Sequence, residues 1–361
     1  MTPAAAPARP IPPGRLVRLA EGAAIPLGAL AASAIVFGLI ILAMGHDPVE
    51  VYHLIYVGGF GSWFSWQNTL QRVAPLLLTA LCAALPAQLG LAVIGGEGAF
   101  VLGGLAGVEA AVLAAPLPAW LDVALMLAAG MAAGALIVGL AGVLRATRGV
   151  NETISSLLLN YLAIALFNQL VEGPLRDVSD VNRASSFPVP AQAVIGSIGS
   201  SSVDWGLVVG LVACVLAWLL IFRTTTGFAM RIAGGSAQAA RMVGIPVGRL
   251  IVGACALGGA AAGLAGSIEV AAVYERASSS LVAGYGFSGI LISFIARHNP
   301  LLIVPAALLF GGIGASGGLI QRRLGLPDAA VAVLQGTTFL LVLMAETFRG
   351  RGFRALLSRP A

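Results

Sequence analysis

An all-α, polytopic membrane protein of about ten spanning helices is the fold class this sequence predicts. Three observations predict it. Of 361 residues, 58% are hydrophobic and only 10% charged, with a mean hydropathy of +0.96, whereas a soluble chain carries roughly 25% charged residues. Apolar runs of about 20 residues, the length that crosses a bilayer, recur from end to end. The positive charge falls largely in polar gaps and comes from arginine alone, with 20 basic residues and no lysine. Accumulation of arginine on the cytoplasmic side explains that basicity, so the lipid bilayer is the expected partner and nucleic acid is not.

The elements follow in order. Residues 1–24, rich in Pro and Ala with Arg9, Arg15 and Arg18, read as a cytoplasmic tail before a first span at Ile25 to Met44. His46 to Gln67 holds Tyr52, Tyr56, Trp63 and Trp66, residue types that sit at headgroup level, so a helix lying on the outer interface is expected. Spans are expected next at Val73–Ala92, Ala99–Ala115, Trp120–Leu144 and Thr153–Val171. The polar stretch 172–204, with Asp177, Asp180 and several prolines and serines, reads as an external loop. A sixth span, Trp205–Phe222, leads to a basic segment at 223–249, and four more follow at Leu250–Val273, Gly284–Ala296, Leu301–Leu319 and Ala329–Phe348. The arginine-rich tail 349–361 ends the chain. With both termini cytoplasmic, most arginines fall inside, although Arg322 and Arg323 then fall outside.

Two glycine-punctuated breaks suggest an inverted repeat with broken helices. GLAVIGGEGAF at 90–100 and VAGYGFSGILI at 282–292 each follow a span and precede a further apolar helix, which singles out Gly95, Gly96, Gly98, Gly284 and Gly286. Such repeats place a substrate path near the midplane. Glu97, an acid between apolar runs, either lines that path beside Phe100 or serves as a buried cap. Glu269 is the second intramembrane acid, and Gly259, Gly263 and Gly266 before it make close-packing spacings. Asn160 and Asn168, two turns apart on one helix, suit interhelical hydrogen bonding or path lining equally.

The segment 223–249 carries Arg223, Arg231, Arg241 and Arg249 and no acid. After Gly234-Gly235 a short helical patch, Gln238 to Val243, is stopped by Gly244 and Pro246. A cytoplasmic docking surface is the reading, with Arg231 and Arg241 facing an acidic edge and Met242 and Ile245 as apolar anchors.

Other chemistries are excluded or weakened. Cys82, Cys214 and Cys255 lie in apolar runs as packing residues, and His46, His53 and His298 make no ligand spacing, so no metal site is expected. Gly312–Gly317 fits a dinucleotide-binding pattern without its strand. Ser316 in the same stretch has no histidine after it to act as a base, so an enzyme is not expected. A chain without lysine lacks the phosphate-binding lysine of an ATPase, so any ATP-driven step belongs to another polypeptide. A secondary transporter or channel coupled through Glu97 or Glu269 is the rival reading.

The sequence resembles the permease subunits of bacterial ABC importers for ribose-like simple sugars and nucleosides, and most of all their nucleoside-type branch. The resemblance is carried by GLAVIGGEG (90–98), GVNETISSLLLNYLA (149–163), TTGFAMRIAGGSAQAARMVGI (225–245), GGAAAGLAGSIEV (258–270), GYGFSGILISFIARHNP (284–300) and LQGTTFLLVL (334–343). It implies a ten-span importer fold in the bacterial inner membrane and alternating access for a small polar solute. The partners it implies are a second permease, an external substrate-binding protein, and cytosolic ATPase subunits that hold ATP and Mg and dock on 225–245. Val93 stands where the family has Asn, Ala99 where it has Gln, and the usual Arg-Asn-His-Pro is Arg297-His298-Asn299-Pro300.

Overall fold

The computed structural model describes residues 15–179, 184–199, 201–327 and 329–348, with side chains described only between residues 28 and 345. The C-terminal tail at 349–361, together with Arg9 and Asp180, lies outside the described residues. Among the described residues there is no strand, only two isolated bridges, Ser185 to Ser278 and Ser197 to Asp204.

Thirteen helices make up the described fold: α1 (Arg15–Ala43), α2 (Pro48–Phe60), α3 (Trp63–Ala87), α4 (Gly96–Ala114), α5 (Ala119–Arg148), α6 (Glu152–Glu172), α7 (Gly206–Arg223), α8 (Thr225–Gly235), α9 (Ala237–Met242), α10 (Val247–Glu269), α11 (Tyr285–Ile295), α12 (Pro300–Leu324) and α13 (Ala329–Phe348). Seven of these, α3 to α7 with α10 and α12, are long and apolar enough to cross a membrane, or eight if the bent pair α1–α2 is one span. Two shorter apolar helices, Ser279–Ile295 and Ala329–Ala345, accompany them.

Four expectations are corrected. Helix α1 starts at Arg15 and takes in residues 15–24, which were expected as tail; this stretch is free of proline and rich in Ala and Leu, good helix formers. The segment 46–67 is not one interfacial helix. It divides at Gly61 into α2, bent by 118° from α1, and the start of α3, where Ser62 caps the first turn through the Ser65 N–H and Trp63 leads. Helix α2 packs on α12 through small residues, since a Cβ on Gly59 would lie 2.7 Å from the Gly312 carbonyl oxygen. That contact accounts for Gly312 within the 312–317 stretch. The second span accordingly runs Trp63–Ala87 and not 73–92. The eighth is a half-helix: α11 has 11 residues, about 16 Å long against a hydrocarbon core of about 30 Å.

The core lies where α3, α4 and α10 meet, each mostly buried, while α5, α6 and α7 leave most of their apolar surface exposed. Glycine lets backbones touch there. A Cβ on Gly263 would stand 2.0 Å from the Gly130 carbonyl of α5, and one on Gly266 would stand 1.9 Å from the Phe100 carbonyl of α4. The close-packing reading of Gly259, Gly263 and Gly266 describes this seam.

The halves cross over. Helix α3 packs on α11 of the second half, α10 packs on α4 of the first, and α3 and α10 lie together. Gly258 of α10 faces Cys82 near the end of α3, whereas Gly206 touches both Ile268 near the end of α10 and Ala74 earlier in α3. The two spans are therefore antiparallel, as an inverted repeat requires.

Candidate functional site, where two broken helices meet

After α3 the chain turns at Gly90 and stays non-helical until Gly96. Backbone groups inside a bilayer need partners, and α6 supplies them from one ridge. Thr153 Oγ1 donates to the Ala92 carbonyl (2.8 Å), Ser156 Oγ accepts from the Ile94 N–H (3.0 Å), and Asn160 Oδ1 accepts from the Gly98 N–H (2.6 Å). Spacings of three and four residues bring these side chains to the same side of a helix. Asn160 is thereby a cap on the start of α4.

The second break follows α10. A π-helical turn, Val270–Tyr274, ends at Glu275 with φ 55°, a 3-10 turn covers Ser279–Leu281, and Gly284 opens α11 at φ 81°. Glu97 closes this break from the opposite half. Its Oε1 accepts from the Gly284 N–H (2.7 Å) and its Oε2 from the Gly286 N–H (2.6 Å), with the residue fully buried. A carboxylate at a helix N-terminus meets unpaired N–H groups and the positive end of the dipole, and two charge-assisted bonds hold it. Only glycine fits at 286, because a Cβ there would stand 2.1 Å from the Glu97 backbone nitrogen.

On its far flank the second break is bound by the polar stretch before α7, which is a strap and not a free loop. The Ser186 N–H donates to the Ala277 carbonyl (2.8 Å), the Val189 N–H to that of Glu275 (2.8 Å) and the Ile195 N–H to that of Ala271 (3.2 Å). Arg276 pairs with Asp177 at 3.1 Å. Hydrogen bonds from Ser179, and then the Arg276 charge, hold the Asp177 carboxyl below the usual aspartate range. Gln192 Nε2 anchors the strap to the α4–α5 turn, donating to the Ala115 carbonyl (2.7 Å) and Asp122 Oδ2 (2.8 Å).

The other expected site residues fall in different places. Phe100 is fully buried, its ring 5.6 Å from that of Tyr285, so it packs behind the junction. Asn168 does not share Asn160's surroundings: eight residues turn the helix by roughly 80° beyond two full turns, and Asn168 lines a cavity at the end of α6. Glu269 is buried close to Tyr285 and lies in the field of Asp204 and Arg72. Arg72 is the residue that sequence reasoning missed. Starting the second span at Val73 left it outside, although an arginine inside the apolar run of α3 is the signal that finds it.

In the basic segment, Thr224 and Ser236 cap α8 and α9, and Gly244 with φ 80° ends the element. Gln238, Arg241, Met242 and Gly244 are exposed. Ile245 is half-buried against its own core, leaving Val243 exposed beside Met242, and Arg231 lies over the Phe222 ring at 5.2 Å. The His298-Asn299 order also has a structural account: His298 takes a left-handed conformation with φ 57°, and Asn299 Oδ1 caps α12 through the Leu301 N–H (3.1 Å) before Pro300. Among the described residues no group of three His, Cys, Asp or Glu could hold a metal ion.

The N-termini of α4 and α11 meet inside an inverted pair of halves, an arrangement that membrane transporters use around a substrate path. Residues 65–343 match the family model described as branched-chain amino acid transport system / permease component. The chain is 32% identical to the glucose ABC transporter permease protein TsgB13 of Haloferax volcanii, over 90% of this chain and 88% of that one. It is 28% identical to the guanosine ABC transporter permease protein NupP of Bacillus subtilis, over 90% and 94%, and 28% identical to the nucleoside ABC transporter permease protein NupB of Lactococcus lactis, over 90% and 91%. The chain belongs to this permease family: it is a multi-pass membrane subunit of an ABC transporter, and not an enzyme.

Proposed function

We propose that the chain imports a nucleoside or simple sugar by alternating access, with ATP and Mg held by separate cytosolic ATPase subunits. Relatives whose names specify guanosine, nucleosides and glucose support that substrate class. The observation that carries the coupling role is the exposed tip of α8–α9. Met242 and Val243, 78% and 72% exposed, follow Arg241 in a segment whose charged residues, Arg223, Arg231, Arg241 and Arg249, are all basic. An exposed apolar anchor in a segment carrying one sign of charge suits an acidic-edged groove on an ATPase. This end is cytoplasmic in the proposal, which puts both termini inside, the strap outside, and the chain in a bacterial inner membrane. A second permease subunit covers apolar faces that the bundle leaves open, and an external binding protein delivers solute at the strap.

Glu97, Asn160 and Glu269 act on the path by holding its walls, Glu97 as the clamp between the two breaks. Met242→Asp tests the coupling. It removes an anchor worth about 2 kcal/mol or more at a well-packed interface, so ATPase subunits should no longer co-purify while the permease still inserts. Undiminished co-purification and solute-stimulated ATP hydrolysis would place the coupling elsewhere.

A further inference from the structure

A cavity of about 440 Å³ opens between the end of α6 and the segment entering the second break, within the range of roughly 300–1,000 Å³ typical of small-molecule sites. Its polar wall is Asn168 and Glu172 on one side and Ser278, Ser279 and Ser280 on the other. Asn168 and Glu172 are four residues apart on α6 and so project together. Ser278 and Ser280 share a hydroxyl–hydroxyl contact of 2.7 Å, and the Ser185–Ser278 bridge ties this wall to the strap. Among the described residues, Val171 and Ala184 complete the lining, which contains no aromatic and no basic side chain.

That inventory selects a ligand. Among these residues no aromatic face offers a stacking platform for a base, and the Glu172 carboxylate opposes an anion such as phosphate. A carboxylate that accepts two O–H groups, an amide that donates and accepts, and a row of hydroxyls match adjacent hydroxyls on a saturated ring.

We propose that this cavity is an entry subsite for the hydroxylated ring of the solute, a free monosaccharide or the ribose of a nucleoside, held by Glu172 and Asn168 before it reaches the helix junction. The proposal rests on the transport reading above, yet it is tested on the chain itself. The full chain in lipid nanodiscs, carrying Ala184→Cys, is labelled with a polar maleimide; the native cysteines are buried. D-ribose, D-glucose and guanosine should each slow labelling several-fold, and guanine should not. Adding Glu172→Gln should raise the half-protecting concentration about tenfold, the loss expected when bonds to a charged acceptor weaken. Val178→Cys, on the exposed strap, should label at one rate throughout, and Ser279→Cys serves as reporter if Ala184→Cys does not fold. Protection by guanine equal to guanosine, protection by none of the four, or protection indifferent to Glu172→Gln overturns the subsite. Failure of the transport reading shows separately, as absence of ATPase subunits from the purified complex.

Discussion

The two helix breaks solve one problem by different means. Both leave backbone N–H and C=O groups without helical partners in an apolar interior, where each unmet group costs roughly 1–3 kcal/mol. The first, at 88–95, is held by side chains of one neighbouring span, with Thr153, Ser156 and Asn160 of α6 reaching the backbone between Ala92 and Gly98. The second, at 275–284, borrows one carboxylate from the other half and a strap from the bundle's end, through Glu97 on one flank and 185–195 on the other. One break is thus fixed to a rigid helix. The other is joined to a surface segment on one flank and to Glu97 on the other.

The largest effect expected from breaking that difference is at Glu97. Glu97→Leu leaves the half-buried Gly284 and the buried Gly286 N–H groups without an acceptor, a cost of up to about 6 kcal/mol for two such donors. A sharp fall in thermal stability and folded yield in detergent should follow, read by size-exclusion chromatography after heating. Glu97→Gln should lie between, since its amide keeps one oxygen and turns an NH₂ towards the other N–H.

Asn160→Ala should cost less, about 1–2 kcal/mol, as loss of one helix cap does. Its effect should be local: faster hydrogen exchange at the Gly98 amide, with the Gly284 and Gly286 amides unchanged. Equal exchange at both breaks would mean that the two open as one unit, contrary to the comparison.

The smallest effect belongs to the strap. Asp177→Asn removes the charge that faces Arg276, so the Ser186, Val189 and Ala277 amides should exchange faster while the Ile94 amide stays protected. The same loosening should appear in acid. The Asp177 carboxyl is held below its ordinary value, so its contribution is present above the ordinary aspartate range and is lost as pH falls through the lowered folded value. Strap protection that is flat through neutral pH and falls only in acid would bear this out, and a fall near neutrality would point to another group.

Much of this was legible in the residues. Composition and apolar run length fixed the membrane class, because a bilayer selects for length and hydropathy and both are local properties. The breaks were legible because glycine and an intramembrane acid are conspicuous in apolar sequence, and the α8–α9 element because Gly234-Gly235, Gly244 and Pro246 punctuate it. Span ends were less so. Ser62 caps α3 and Trp63 and Arg72 lie within it, while the aromatic-belt signal pointed to the interface, since aromatic residues mark a depth and not a helix boundary.

What only the tertiary structure decided is which groups satisfy which. Glu97 and Gly286 are far apart in the chain, and nothing local distinguishes a carboxylate lining a path from one bonded to a distant helix N-terminus. Both readings predict a buried acid among glycines. The outcome depended on the crosswise packing of α3 with α11 and α10 with α4, which brings the second break against Glu97. Asn160 and Asn168 were separated for the same reason: their helix is regular, but α4 covers one and a serine-lined cavity the other. Sequence specifies the groups that require partners, and long-range packing determines which partners reach them.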